Sequence, residues 1–143
     1  MDCYSRILLA VDLTDSCKGV AQQAARFAKQ CEGQLHIVHV VEPQSLAYGD
    51  EIPIDLTSLH DAINDQAASY LREFSKDFDI PEERQYLVFG TIHHEIHRIA
   101  KEKNMDLIVV GSHGRHGLAI LFGSTLDDVI HAAHCDVLAV RVA

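Results

Sequence analysis

Short apolar runs alternate along this chain with segments in which apolar residues recur at helical spacing. Residues 7–11 read Ile-Leu-Leu-Ala-Val and residues 107–110 read Leu-Ile-Val-Val, uninterrupted runs that are typical of strands buried on both faces. Between such runs, apolar residues return every three or four positions, which indicates amphipathic helices. Strands separated by helices join into a parallel sheet through crossover connections. The chain therefore predicts a doubly wound α/β fold.

The pattern places five strands with helices between them. The predicted strands are residues 7–11, 35–41, 86–89, 107–110 and 137–142. The predicted helices are residues 16–31, 59–78, 92–100 and 125–133. Residues 42–55 contain Pro43, Gly49 and Pro53 and are predicted to form a loop, longer than most connections. The length of 143 residues fits one domain over residues 1–143, but periodicity alone does not order the strands.

The stretch from Leu107 to Thr125 carries most of the functional signal. Its apolar run ends at Gly111, and Gly114 follows, so a tight turn with exposed backbone N–H groups is predicted here. Residues 123–125 read Gly-Ser-Thr just before the last helical pattern, where a helix N-terminus and hydroxyl groups favour phosphate. The alternative is two loop glycines and an ordinary Ser/Thr helix cap.

The same stretch resembles the nucleotide-binding branch of the universal stress protein family, and the resemblance covers essentially the whole chain. That branch carries Gly-x-x-Gly, nine further residues, and then Gly-Ser or Gly-Thr. Here Gly111-Ser112-His113-Gly114 matches the first part and Gly123-Ser124 the second, with eight residues between them instead of nine. The shorter spacing could shift one of these two turns relative to the other, which affects the contacts to the terminal phosphates.

The resemblance implies a strand order of 3-2-1-4-5 and a fold like that of the adenine nucleotide alpha hydrolases. Ligands of such sheets bind beyond the carboxyl ends of the strands where the order reverses, here between the first and fourth strands. Asp12 would accept a hydrogen bond from the adenine amino group, unless it only caps the first helix. The implied nucleotide contacts are Asp12, Thr14, Val40, Val41, Gly111, His113, Gly114, Arg115, Gly123, Ser124 and Thr125.

The predicted ligand is ATP, or AMP or ADP, with Mg²⁺ accompanying the nucleotide. Arg115 is the only fixed cation in the phosphate wall, and the chain already carries a formal charge of −9, so Mg²⁺ and backbone donors must offset the phosphates. There is no Gly-x-x-x-x-Gly-Lys loop and no Gly-x-Ser-x-Gly elbow. No catalytic residue is therefore predicted, and at most weak ATP hydrolysis is expected.

Charge and hydropathy exclude other classes of partner. A net charge of −9 without a basic cluster disfavours nucleic acid, and no apolar run reaches the roughly 20 residues of a membrane span. The first residues lack a signal-peptide layout, so a cytoplasmic location is expected. The four cysteines show no Cys-x-x-Cys spacing, which predicts reduced thiols, with Cys17 as a small buried residue near a helix start.

The histidines do not form a convincing metal site in the sequence. His93 and His97 have a ligand spacing on a helix, but no third ligand stands at a suitable distance, so a solvated cluster is expected and no metal is predicted. His36 and His39 are predicted to lie on opposite faces of one strand.

The last strand predicts assembly. Val137 to Val142 is apolar and nearly terminal, and in the implied order it is an edge strand that invites pairing with another chain. Family members dimerise through this strand, so a homodimer is expected. The leading interpretation is a cytoplasmic stress-response protein that binds an adenine nucleotide as a regulatory ligand. The alternatives are a dimeric scaffold that binds no nucleotide and a slow ATPase.

Overall fold

Five parallel strands form a single sheet in the order β3-β2-β1-β4-β5 in the computed structural model, which describes residues 3–42, 56–112 and 123–141. The strands are β1 Arg6–Val11, β2 Gln34–Val41, β3 Gln85–Phe89, β4 Leu107–Ser112 and β5 Asp136–Arg141. All four neighbouring pairs are parallel. The doubly wound α/β fold and the order 3-2-1-4-5 are therefore confirmed.

Four α-helices connect the strands, close to the predicted positions. They are α1 Cys17–Cys31, α2 Leu56–Lys76, α3 Ile92–Glu102 and α4 Gly123–His131, with a short 3-10 helix at Glu82–Arg84 before β3. The last helix begins two residues earlier than predicted, at Gly123. The predicted loop of residues 42–55 lies, apart from Glu42, outside the described residues. No helix in the described ranges is both long and apolar enough to cross a membrane.

The sheet separates two apolar layers, because alternate residues of each strand face opposite sides. Ile7 and Leu9 of β1 pack with α1 and α2 on one side, and Leu8 packs with α3 and α4 on the other. All three side chains have 0% exposure. β1 is thus buried on both faces, as its uninterrupted apolar run predicted.

The expectation of four reduced thiols is wrong for one pair. Cys3 and Cys31 form a disulfide, with their Cα atoms 5.2 Å apart, while Cys17 and Cys135 are free. The reason is the parallel register of β1 and β2. Cys3 precedes β1 and Cys31 precedes β2, and Gln34 N donates to Ser5 O where the two strands begin. A search for closely spaced cysteines misses a pair that the sheet brings together.

Candidate functional site

A gap opens between the central strands at the carboxyl end of the sheet. β1 and β4 are in register from Ile7↔Leu107 to Leu9↔Val109, although both strands continue beyond these residues. On its other side, β1 stays paired with β2 as far as Val11↔His39. The pairing of the two central strands thus ends early at the point where the strand order reverses, which is where ligands of open α/β sheets bind.

Asp12 follows β1 directly at this gap, and its two carboxylate oxygens differ. Oδ1 accepts hydrogen bonds from Thr14 N at 3.0 Å, Thr14 Oγ1 at 2.7 Å and Cys17 Sγ at 2.9 Å. Oδ2 is shielded from solvent and has no hydrogen-bond partner in the part of the chain that the structure describes. A shielded carboxylate oxygen without a donor is costly, so the arrangement suits a ligand or a water that brings an N–H or O–H group.

The turn after Asp12 holds a strained residue. Leu13 has φ 65°, in the left-handed region that non-glycine residues seldom adopt. Such a conformation costs on the order of 1–3 kcal/mol and persists where the surroundings enforce it. The bonds of Asp12 to Thr14 and Cys17 on either side enforce it here. Ser16, at the N-cap of α1, makes no capping side-chain bond, so the Asp12 turn organises the helix start instead.

Cys17 acts in this turn as a neutral hydrogen-bond donor. Its side chain is 1% exposed. Burial, together with the hydrogen bond to Asp12, raises the pKa of the Cys17 thiol to about 12. A thiolate is therefore disfavoured, and the prediction of a small buried residue is confirmed.

His39 is a residue of this site that the sequence did not reveal. Its Nδ1 donates to the carbonyl oxygen of Val11 at 2.8 Å, which ties the carboxyl end of β1 to β2. Burial lowers the pKa of His39, so the ring stays neutral and Nε2 is left as an acceptor. A histidine in an apolar strand was the only available signal. As predicted, His36 points to the other face of β2, where it contacts Tyr86.

The end of β2 borders the same edge of the sheet. The carbonyl oxygen of Val41 accepts a hydrogen bond from Gly90 N at 3.0 Å, which leaves one lone pair of that oxygen available. Val41 is buried, whereas Val40 packs against the α3 side of the sheet. Because neighbouring strand residues face opposite sides, the Val40 and Val41 side chains cannot both pack on one face of an adenine ring.

The glycine stretch is described only in part. The expectation that the strand ends at Gly111 is wrong: Gly111 is a buried residue of β4 opposite Val140, and pairing continues to Ser112↔Arg141, because β5 extends far enough to hold it. Gly123, Ser124 and Thr125 are the first three residues of α4, so their backbone N–H groups have no acceptor within the helix. His113, Gly114 and Arg115 lie outside the described residues.

Two histidines of α3 contact Asp128 of α4. His93 Nδ1 lies 3.7 Å from Asp128 Oδ2, and His97 Nε2 lies 3.4 Å from the Asp128 carbonyl oxygen. Within the described ranges, no three His, Cys, Asp or Glu side chains are grouped so that they could hold a metal ion.

Sequence comparison gives the family. The model of the universal stress protein family matches residues 4–141. The chain belongs to the universal stress protein family. Universal stress protein A homolog 1 of Coxiella burnetii is 41% identical over 139 residues, which cover 96% of each protein. Universal stress protein A homolog 2 of the same organism is 36% identical over 146 residues, covering 99% of this chain and 98% of that protein.

Solved structures of universal stress proteins share the fold. The UspA protein of Lactobacillus plantarum has a TM-score of 0.77 and 26% identity, covering 99% of this chain and 100% of its own. The protein MJ0577 of Methanocaldococcus jannaschii has a TM-score of 0.80 at 21% identity, with 99% of each chain covered. A universal stress protein in complex with cAMP has a TM-score of 0.70 at 22% identity, covering 99% of this chain and 100% of its own.

Proposed function

We propose that this universal stress protein binds an adenine nucleotide at the carboxyl ends of β1 and β4, as a regulatory ligand in a cytoplasmic stress response. ATP with Mg²⁺ is the leading form, and ADP or AMP would use the same adenine contacts. The observation that carries the proposal is the Asp12 carboxylate. Its Oδ1 is held by three donors, while Oδ2 has no donor from a described residue.

The adenine part of the proposal rests on hydrogen-bond complementarity. An adenine amino group is a donor that would satisfy Oδ2 of Asp12. The remaining lone pair on the Val41 carbonyl oxygen offers a second acceptor at the neighbouring strand end. Since the Asp12 turn is fixed by its own hydrogen bonds, the acceptor is preorganised, and binding costs little ordering of this segment.

The phosphate part rests on the first turn of α4. The N–H groups of Gly123, Ser124 and Thr125, which have no acceptor within the helix, and the positive end of the helix dipole favour an anion there. The family resemblance implies that His113, Gly114 and Arg115 belong to the same phosphate wall, with Arg115 as its fixed cation. Mg²⁺ would neutralise part of the phosphate charge against the net charge of −9. Binding of nucleotide by another family member, the cAMP complex, supports the proposal by analogy.

Replacing Asp12 by asparagine tests the adenine contact. Asn keeps an oxygen for Thr14 and Cys17 but puts an amide NH₂ in the place of Oδ2, where it would meet the adenine amino group donor to donor. We expect ATP affinity to fall about 10- to 100-fold, as for the loss of a hydrogen bond to a charged group. Wild-type protein at an ATP concentration about 100 times its dissociation constant should gain about 2.7 kcal/mol, a melting shift of roughly 5–10 °C.

Asp15→Asn is the matched control. The Asp15 side chain is 88% exposed, and the substitution removes the same charge three residues away. Calorimetric titration with Mg-ATP and Mg-GTP gives the affinities. The melting temperature without nucleotide shows whether the substitution destabilises the Asp12 turn. Equal ATP affinity in Asp12→Asn and Asp15→Asn would remove Asp12 from the site. No binding of ATP by the wild type would favour the scaffold that holds no nucleotide.

We further propose that two copies pair through β5, antiparallel across a two-fold axis. β5 has β4 as its only strand neighbour in the described sheet. Its apolar residues Val137, Leu138 and Val140 are only partly buried, and Ala139 is exposed. An edge with unpaired backbone groups and apolar side chains favours pairing, and two-fold symmetry closes the assembly at a dimer.

Ala139→Glu is expected to convert the dimer to a monomer. The two-fold axis would bring both copies of the new carboxylate to the same interface, where like charges repel. Gln22→Glu, on the exposed side of α1, is the control with the same new side chain. Sedimentation velocity at micromolar concentration measures the mass. A wild-type mass of one 15.9 kDa chain contradicts the dimer, and a dimer that persists in Ala139→Glu moves the interface away from β5.

A further inference from the structure

Three cationic side chains converge at the amino end of the sheet, at the opposite end of the strands from Asp12. Arg6 begins β1, Arg84 immediately precedes β3, and Lys103 follows α3. All three lie close enough to His36 to act on it electrostatically, and Arg6 and Arg84 act on Tyr86 in the same way. The sequence shows no basic cluster, because these residues are far apart along the chain.

Contacts between β1, β2, β3 and the residue after α3 link Arg6 and Lys103. Arg6 Nε donates to the Lys103 carbonyl oxygen at 2.7 Å, and Arg6 Nη1 donates to Gln34 Oε1 at 3.2 Å. Gln34 Oε1 also lies 3.4 Å from His36 Nε2, and His36 Nδ1 lies 2.9 Å from the Tyr86 hydroxyl. Lys103 Nζ lies 5.7 Å from the centre of the Tyr86 ring, so this series of contacts leads from Arg6 back to Lys103. Arg6 and Lys103 are therefore preorganised, and Arg84 acts electrostatically on the same His36 and Tyr86.

His36, which takes part in these contacts, carries no charge near neutral pH. His36 is 3% exposed and stacks on the Tyr86 ring, with the ring centres 5.9 Å apart. Because Gln34 Oε1 can only accept, Nε2 of His36 holds the proton and Nδ1 accepts from the Tyr86 hydroxyl. Burial and the three cations lower the pKa of His36 to about 4. The positive charge of the cluster thus comes from Arg6, Arg84 and Lys103.

These cations lack carboxylate partners. None of the three forms an ion pair with a carboxylate in the described residues. Nε of Arg84 is shielded from solvent and has no hydrogen-bond acceptor there. A shielded guanidinium N–H without an acceptor carries a desolvation cost, which an anion at this end of the sheet would offset.

The nearby carboxylates are engaged elsewhere or stand outside ion-pair distance. Asp106 accepts from the backbone N–H groups of Ser5 and Arg6, and Glu102 pairs with Arg98. The remaining neighbours are Glu82 and Glu83 of the 3-10 helix and Glu32 and Asp79, which line a cleft beside Arg84; none of them pairs with the cluster.

We propose that Arg6, Arg84 and Lys103 form a second anion site, separate from the nucleotide site, that binds a phosphate dianion. The phosphate is either inorganic phosphate or the head of a phosphomonoester. A dianion matches several unpaired cations better than a single carboxylate does. The planar guanidinium of Arg84 can donate two parallel hydrogen bonds to its oxygens, with Lys103 as a point charge. Arg6 contributes mainly charge, since its Nε and Nη1 hold Lys103 and Gln34.

Titration of the full chain with inorganic phosphate, followed by NMR at constant ionic strength with chloride as the balancing anion, tests the site. We expect saturable shifts of the His36 and Tyr86 ring signals, with a dissociation constant on the order of millimolar. Phosphate should also raise the pKa of His36, because a nearby anion stabilises the imidazolium. A merely structural role of the three cations would produce neither effect.

The double variant Arg84→Gln with Lys103→Gln should weaken phosphate binding at least tenfold. Lys76→Gln is the control, because Lys76 pairs with Glu73 on α2 and is well exposed. Glycerol phosphate distinguishes the two sources of phosphate. Tighter binding than inorganic phosphate indicates a phosphomonoester, and equal binding indicates that the site recognises the phosphate group alone. Shifts that do not saturate, that chloride reproduces, or that persist in the double variant would overturn the proposal.

Discussion

Replacing Cys31 by serine is expected to lower the free energy of unfolding by about 3.5 kcal/mol under non-reducing conditions. The Cys3–Cys31 disulfide joins residues with a sequence separation of 28, and a cross-link of this span restricts the unfolded chain by about that amount. The bridge ties the segment before β1 to the last residue of α1. For a chain of this length, the melting temperature should fall by roughly 10–15 °C.

The matched control is Cys135→Ser, which removes a free and only partly buried thiol. Urea unfolding with and without dithiothreitol measures the effect, and thiol titration of the unfolded protein should find the free Cys17 and Cys135 alone. Reductant should bring the wild type down to the stability of Cys31→Ser and leave that variant unchanged. Equal stability of Cys31→Ser and wild type without reductant would show that the bridge does not constrain the chain in solution.

Acidification is expected to destabilise the fold through His36. Burial, with the neighbouring cations, lowers the pKa of His36 from 6.5 to about 4. Between these two values, His36 binds a proton in the unfolded chain but not in the folded chain. Its contribution to stability is therefore fully present above pH 6.5 and is lost as the pH falls from 6.5 towards 4. The loss approaches about 1.4 kcal/mol per pH unit within this window. His39, whose pKa is also lowered by burial, acts in the same direction.

Urea unfolding at several pH values between about 7.5 and 5 measures the slope, in a range where most carboxylates remain ionised. His36→Gln keeps a hydrogen-bonding side chain but cannot take up the proton, so its stability should depend less on pH. His94→Gln, at an exposed position of α3, is the control and should keep the wild-type slope. The same slope in His36→Gln and wild type would show that His36 is not the group responsible.

The sequence predicted the elements well because burial leaves a local pattern. The uninterrupted apolar run of β1 reflects burial on both faces, and the helical spacing of apolar residues in α1 reflects burial on one face. Both elements lie at the predicted positions. Strand order has no such local signal, and only the family resemblance provided it. The carboxyl end of β4 was placed too early, because its pairing to Ser112 depends on how far β5 extends.

The candidate site was predictable only where a residue type and a strand end coincide. Asp12 could be singled out because a carboxylate directly follows an apolar run. The tie from His39 to the Val11 carbonyl oxygen and the left-handed Leu13 depend on three-dimensional contacts, which no local pattern reports. The same holds for the Cys3–Cys31 disulfide and for the cluster of Arg6, Arg84 and Lys103. For the His39 tie and the disulfide, the parallel register of β1 and β2 brings distant residues together.

β1 also acts as a rigid spacer between the two ends of the sheet. It runs from Arg6, at the cationic end, to Asp12, at the gap, a span of roughly 20 Å for a strand of this length. Its central residues Ile7, Leu8 and Leu9 are fully buried in a close-packed core, so we expect the strand to keep one arrangement when a ligand binds at either end. Ligands at the two ends would then bind without thermodynamic linkage. Their stabilising effects should simply add, so that the protein could report two independent chemical signals at once.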